Sequence, residues 1–138
     1  MMAHTTLVVD ASVAVMWFFP EDLSAAASSL LRPDLTLLAP DFLRVEFAAV
    51  AAKKARRKEI TRTRARAAMA GFMDIINDGF RPTRAVAALD IALTHQVTVY
   101  DATYVALALD LGCPFVTADQ RLYNSLAAAL PQTMRWVG

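Results

Sequence analysis

A chain of 138 residues with net charge +1 is sized for one domain spanning 1–138, and its hydrophobic fraction of 57% allows a core without staples. No window reaches the roughly 18 uninterrupted apolar residues of a membrane span, and the apolar stretch from Thr5 to Pro20 carries Asp10 and lacks a basic start, which argues against a signal peptide. A single cysteine, Cys113, excludes an intramolecular disulfide and a multi-cysteine zinc site, and a cytoplasmic protein is the expectation.

In chain order, Leu7-Val8-Val9 reads as a short buried strand ending at Asp10. The apolar segment Ala11 to Phe19 stops at Pro20. Helical spacing over Leu23 to Leu31 is broken by Arg32-Pro33-Asp34. Leu35 to Leu38 is a second strand. A helix is predicted from Asp41 to about Lys58, with Phe42, Val45, Ala49 and Val50 as its apolar stripe. Thr61 is a suitable N-cap for the next helix, which runs to Ile76 and ends at Asn77-Asp78-Gly79. Phe80 to Thr83 suits a short edge strand. The helix predicted over Thr83 to Thr94 carries Val86, Leu89 and Leu93 on one side. Another runs from Asp101 to Leu111, closed by Gly112 with Pro114 beyond. Phe115-Val116-Thr117 is a strand, Asp119 to Leu130 a helix, and Thr133 to Val137 a final strand. Short strands alternating with helices predict an α/β fold with a parallel sheet.

Charge is unevenly distributed. Lys53, Lys54, Arg56, Arg57, Lys58, Arg62, Arg64 and Arg66 face the single acid Glu59, which leaves the rest of the surface net acidic. Such segregation suggests a strip for an anionic partner; the alternative is two helices exposing solvated faces.

Ligands of open α/β sheets gather at the carboxyl ends of the strands. Asp10 and Asp119 stand there, and Asp101 opens a helix. Each also suits plain N-capping, since Asp is a favoured cap. Glu46 lies one turn from both Phe42 and Val50, where an unpaired carboxylate is costly. Either Lys53, two turns on, neutralises it, or it joins a cluster of acids held by metal. Asp90 sits near an apolar stripe and ranks lower. Oxygen donors without a His/Cys cluster select hard cations such as Mg²⁺ or Mn²⁺. His4 and His95 are isolated. Only 4 glycines and no Gly-rich phosphate loop disfavour a nucleotide-binding enzyme.

The segments VVDASVAVMWF, APDFLRVEFAAV, VTVYDATYVALAL and FVTADQRL, containing Asp10, Glu46, Asp101 and Asp119, resemble the PIN domain, specifically the VapC-type toxins of bacterial toxin–antitoxin modules. The resemblance covers nearly the whole chain. It implies a three-layer fold with a mostly parallel, five-stranded central sheet flanked by helices, and the four acids in one site. Ser12 and Thr117 match positions where the family commonly has a small hydroxyl residue. Ala49 departs from the pattern, because family members often carry Asn three residues after the glutamate. The implied activity is Mg²⁺- or Mn²⁺-dependent RNA hydrolysis leaving 5′-phosphate and 3′-hydroxyl ends, with Asp10 and Asp101 as principal ligands. Glu46 and Asp119 would complete the site, and Thr117 or Ser12 would orient a water or a phosphate oxygen. Lys53, Lys54, Arg56, Arg57 and Arg62 are the RNA-binding candidates. The resemblance also implies a VapB-like antitoxin and a homodimer, for which Trp17, Phe18 and Phe19 are candidates for an exposed patch; a core location for at least two of them is the favoured alternative.

Three rivals compete. A phospho-acceptor of the haloacid dehalogenase type wants a second Asp where Ser12 stands, and a receiver domain wants a lysine after a late strand, but none follows Lys58. An inactive PIN-like binding module and a DNA-directed nuclease are the others.

Overall fold

The computed structural model describes residues 5–138, so His4 lies outside the described residues. Five strands form one sheet: β1 (Thr5–Val9), β2 (Leu35–Pro40), β3 (Phe80–Arg81), β4 (Phe115–Thr117) and β5 (Met134–Trp136). Their spatial order is β3-β2-β1-β4-β5 and every pairing is parallel. The helices are α1 (Ala11–Ala14), α2 (Ser24–Ser28), α3 (Phe42–Arg56), α4 (Arg62–Ile76), α5 (Ala85–His95), α6 (Val99–Leu111) and α7 (Gln120–Leu126). Among the described residues, no helix is long and apolar enough to cross a membrane.

Strand order dictates where a site can form. From β1 the chain moves outward to β2 and β3, then returns to β4 on β1's other side. That reversal opens a crevice between the carboxyl ends of β1 and β4. Leu7, Val8, Val9, Phe115 and Val116 are buried and pin these two strands in register, with Val8 opposite Phe115 and Val9 opposite Val116. On α3 and α4, Phe47 stacks on Phe72 at 4.2 Å between ring centres, and Phe18, Phe19 and Phe80 close around that pair.

Several expectations about faces are corrected. Trp17, Phe18 and Phe19 take the core alternative rather than an exposed patch: they pack against the core, with Phe19 buried and the Trp17 indole donating to the Ala27 carbonyl at 2.9 Å. Helix α3 buries Leu43, Phe47 and Ala51, while Val45 is 64% exposed and Ala49 is also exposed. On α5 the stripe Val86, Leu89 and Leu93 faces solvent. The contact with α6 is made instead by Ala88, Ala92 and Ala102, because two helices that approach closely need small residues between them. Helix α6 begins two residues before Asp101, and α7 ends at Leu126 rather than Leu130. Asp90 is exposed.

Candidate active site

Asp10 follows the last residue of β1 and is buried, 6% exposed. Both its carboxylate oxygens are held. Ser12 Oγ donates to Oδ1 at 2.5 Å and Thr117 Oγ1 donates to Oδ2 at 2.6 Å. Val13 N–H also reaches Oδ1 at 3.3 Å, a weak cap for α1. The hydroxyls accept in turn: Ala118 N–H donates to Ser12 Oγ at 2.9 Å, and Asp119 N–H to Thr117 Oγ1 at 3.1 Å. A hydroxyl has one proton, so with both protons committed to Asp10, the 3.3 Å approach of Ser12 Oγ to Thr117 Oγ1 adds little. Ser12 and Thr117 therefore orient the Asp10 carboxylate. Burial nonetheless outweighs these bonds and pushes the Asp10 carboxyl up to about 6, with the charge of Asp101 adding to the rise.

Asp101 is not the N-cap of α6. Thr98 takes that role, its Oγ1 accepting from Asp101 N–H at 3.1 Å. Half-burial raises the pKa of Asp101 against the lowering effect of a hydrogen bond with the Thr98 side chain, and the charge of Asp119 adds to the rise. Glu46 projects from α3 and accepts a hydrogen bond from the Tyr104 hydroxyl of α6. Its pKa is raised by burial and by the charge of Asp101, against the lowering effect of the Tyr104 bond. Among the described residues, the ion pairs include neither Glu46 nor Lys53, so pairing with Lys53 does not explain Glu46. Asp119 is exposed and caps α7, accepting from Leu122 N–H at 3.1 Å. The four acids thus form one electrostatic system with Asp101 at its hub: its charge acts on Asp10 and on Glu46, and Asp119 acts on it.

Asp10 and Asp119 follow β1 and β4, Glu46 and Asp101 come from α3 and α6, and the charge effects among them run through Asp101; among the described residues no three His, Cys, Asp or Glu side chains converge as a cage for one ion. The donor set still fits a hard cation, because it is all oxygen and its mutual repulsion is what a divalent charge relieves. A cleft of about 220 Å³ adjoins it, lined by Thr98, Asp101, Asp119, Arg121 and Leu122. A second opening of about 440 Å³ is lined by Ser12, Met16, Glu21, Asp22 and Ala118.

The basic residues sit apart from the acids, on the α3–α4 hairpin. Lys53, Arg56, Arg57 and Arg62 are exposed. Lys54 is engaged otherwise, 3.6 Å from Glu59 and over the Phe19 ring. At about 1.5 Å rise per residue, Lys53 lies roughly 10 Å along the helix from Glu46. Tyr104 is the site residue that sequence reading missed. Inside the apolar run of α6 it looks like core, and its partner is 58 residues away in sequence.

The PIN domain family model matches residues 7–125 of this chain. The chain belongs to the PIN-domain family. Among curated relatives it is 32% identical to Ribonuclease VapC1 of Mycobacterium tuberculosis over 130 residues, covering 94% of this chain and 96% of that protein. It is 30% identical to Ribonuclease VapC3 of Pyrobaculum aerophilum over 134 residues, covering 88% and 95%. It is thus a PIN-domain protein related to VapC ribonuclease toxins. The crystal structure of PAE2754 from Pyrobaculum aerophilum superposes with a TM-score of 0.73 at 18% identity, over 96% of this chain and 84% of that one. VapBC-1 from nontypeable Haemophilus influenzae gives 0.62 at 13% identity, over 96% of each chain. Both likenesses speak to fold.

Proposed function

We propose that this PIN-domain protein is a Mg²⁺- or Mn²⁺-dependent endoribonuclease toxin held in check by a VapB-like antitoxin. The observation that carries the reading is the coupled set Asp10, Glu46, Asp101 and Asp119, in which a buried carboxylate, fixed by two hydroxyls, feels the charge of a second acid. A fold needing only helix caps gains nothing from that arrangement. Kinship with proteins named ribonucleases supports the choice of RNA.

Asp10 and Asp101 would be the principal cation ligands, with Glu46 and Asp119 completing the site directly or through water. A cation held there would lower the pKa of a water and offset charge on the scissile phosphate. Ser12 and Thr117 hold Asp10 with both oxygens directed, so that little reorganisation is needed when substrate arrives. Lys53, Arg56, Arg57 and Arg62 would track the RNA backbone beyond the cut. Water would attack phosphorus and the P–O3′ bond would break, with O3′ leaving as the 3′-hydroxyl and the phosphate staying on O5′ as the 5′-phosphate, and no ribose 2′-hydroxyl would take part.

The antitoxin is supported by the VapBC-1 neighbour. The expected homodimer loses Trp17, Phe18 and Phe19 as its surface. The exposed Val86, Leu89 and Leu93 of α5 take their place as the apolar side chains a second copy would cover. Light scattering should give twice the monomer mass, and a monomer at micromolar concentration removes the dimer.

The deciding experiment incubates RNA and single-stranded DNA of one sequence with the protein, with Mn²⁺ or with chelator. RNA cleavage that needs Mn²⁺ and is lost in Asp10→Asn supports the proposal. Preferential DNA cleavage selects the DNA-directed reading. The non-catalytic module has one observation in its favour, the lack of three converging acids among the described residues; it is selected if neither substrate is cut and Mn²⁺ leaves the melting temperature unmoved.

A further inference from the structure

Tyr104 occupies an unusual place for a polar group. Its ring is 1% exposed and stacks on Phe115 of β4 at 5.6 Å with 15° between planes. Its hydroxyl crosses from α6 to α3 and donates to Glu46 Oε1. Tyr104 lies three residues after Asp101, one turn along the same helix. Phe115 lies two residues before Thr117, so the strand under the ring also carries the hydroxyl that holds Asp10. One buried side chain is therefore referenced to three of the four acids: by its helix to Asp101, by its stacking partner's strand to Asp10, and by a hydrogen bond to Glu46.

Glu46 needs such a reference more than the others. Asp10 has a short side chain and two hydroxyl donors. Glu46 has a longer, more flexible chain on a half-buried helix face, and its neighbour one turn on, Val50, offers no polar group.

Resting on the cation site proposed above, we infer that Tyr104 is a positioning residue: its hydroxyl fixes Glu46 Oε1 against α6 and leaves Oε2 as the oxygen available to a divalent cation. The competing account is that Glu46 merely satisfies a buried phenol, since a buried tyrosine hydroxyl seeks a partner. The two accounts differ in whether metal affinity depends on the bond.

The test is calorimetric titration of Mn²⁺ into the metal-free protein, for the native chain, Tyr104→Phe, Glu46→Gln and the double variant. Phenylalanine keeps the ring stacked on Phe115 and removes the hydroxyl alone. Removing a group that orients a metal ligand typically weakens affinity by about 10- to 100-fold. We expect a loss of about tenfold in Tyr104→Phe, and no further loss when that change is added to Glu46→Gln, because the tyrosine acts through the glutamate. Native Mn²⁺ affinity in Tyr104→Phe, with affinity reduced in Glu46→Gln, overturns the positioning role and leaves the cation site standing. Native affinity in Glu46→Gln overturns Glu46 as a ligand and the Tyr104 proposal with it. Equal losses from Tyr104→Phe in both backgrounds also overturn it, since the effect would not run through Glu46. Should Tyr104→Phe not fold, Glu46→Asp replaces it: a carboxylate one methylene short of the tyrosine should bind Mn²⁺ about tenfold more weakly, and undiminished affinity overturns the proposal.

Discussion

The acidic crevice and the basic α3–α4 hairpin share one helix, yet they are built by opposite physics. In the crevice, like charges are withdrawn from water and held by specific bonds: Asp10 is buried between Ser12 and Thr117, and Glu46 is tied to Tyr104. On the hairpin, Lys53, Arg56, Arg57 and Arg62 stand in solvent. Charges in the first region are costly to the metal-free fold and weakly screened; those in the second cost little and are screened within about 8 Å at physiological ionic strength. Substitutions in the crevice should therefore have large, residue-specific effects, and those on the hairpin small, additive, salt-dependent ones.

The largest contrast is expected from Asp10→Asn. RNA cleavage should fall at least about 100-fold, as befits a ligand rather than an orienting group. At neutral pH the metal-free melting temperature should hold or rise by a few degrees, because a buried charge has been removed. A variant badly destabilised without metal would show that Asp10 serves mainly as the cap of α1.

Next comes pH. The Asp10 carboxyl, at about 6 in the folded protein, lies above its ordinary value of 3.8. The folded state thus binds more protons than the unfolded one between those values. The stability tied to this group is present below about pH 4 and is lost as pH rises through 6, by on the order of 3 kcal/mol. Glu46 and Asp101, also raised, act in the same direction. Denaturant melts of metal-free protein from pH 4 to 7 should show this decline, and Mn²⁺ should offset it at the upper end by binding the native state. Stability that climbs from pH 4 to 7 without metal would break the account of the crevice.

Thr117→Val should cost about 1–3 kcal/mol, since Asp10 loses a donor and Asp119 N–H loses its acceptor. Equilibrium denaturation checks it. The smallest effect belongs to the hairpin. Arg57→Gln with Arg62→Gln should flatten the log–log salt dependence of single-stranded RNA binding by about 1.4 units if both contact phosphate, at about 0.7 per contact, and leave Mn²⁺ affinity untouched. An unchanged slope with weakened antitoxin binding would assign these arginines to the protein partner.

The order of strands and helices was legible because each strand is a short apolar run punctuated by Pro, Gly or Asp, and because the four acids sit in local motifs. Faces were less legible. The α5 stripe of Val86, Leu89 and Leu93 has the periodicity of a buried face, but α5 meets α6 through Ala88, Ala92 and Ala102, and alanine carries a weak hydrophobic signal. Glu46 was singled out by its place one turn from Phe42 and Val50, and both of these are half-buried as Glu46 is, although Val45 and Ala49 of the expected stripe are exposed. The Thr98 cap was readable, since Thr98 stands three residues before Asp101 in the manner of a capping box. The bond from Tyr104 to Glu46 was not, because it exists only once α3 and α6 are brought together.

The central claim is that four acids act as one cation site with Asp101 at its hub. Calorimetric titration of Mn²⁺ into native protein and into Asp101→Asn, both metal-free at pH 7, tests it most directly. The account predicts saturable binding to the native chain and at least about tenfold weaker binding to Asp101→Asn, whose metal-free melting temperature is unchanged or higher. Equal Mn²⁺ affinity in the two proteins would contradict it.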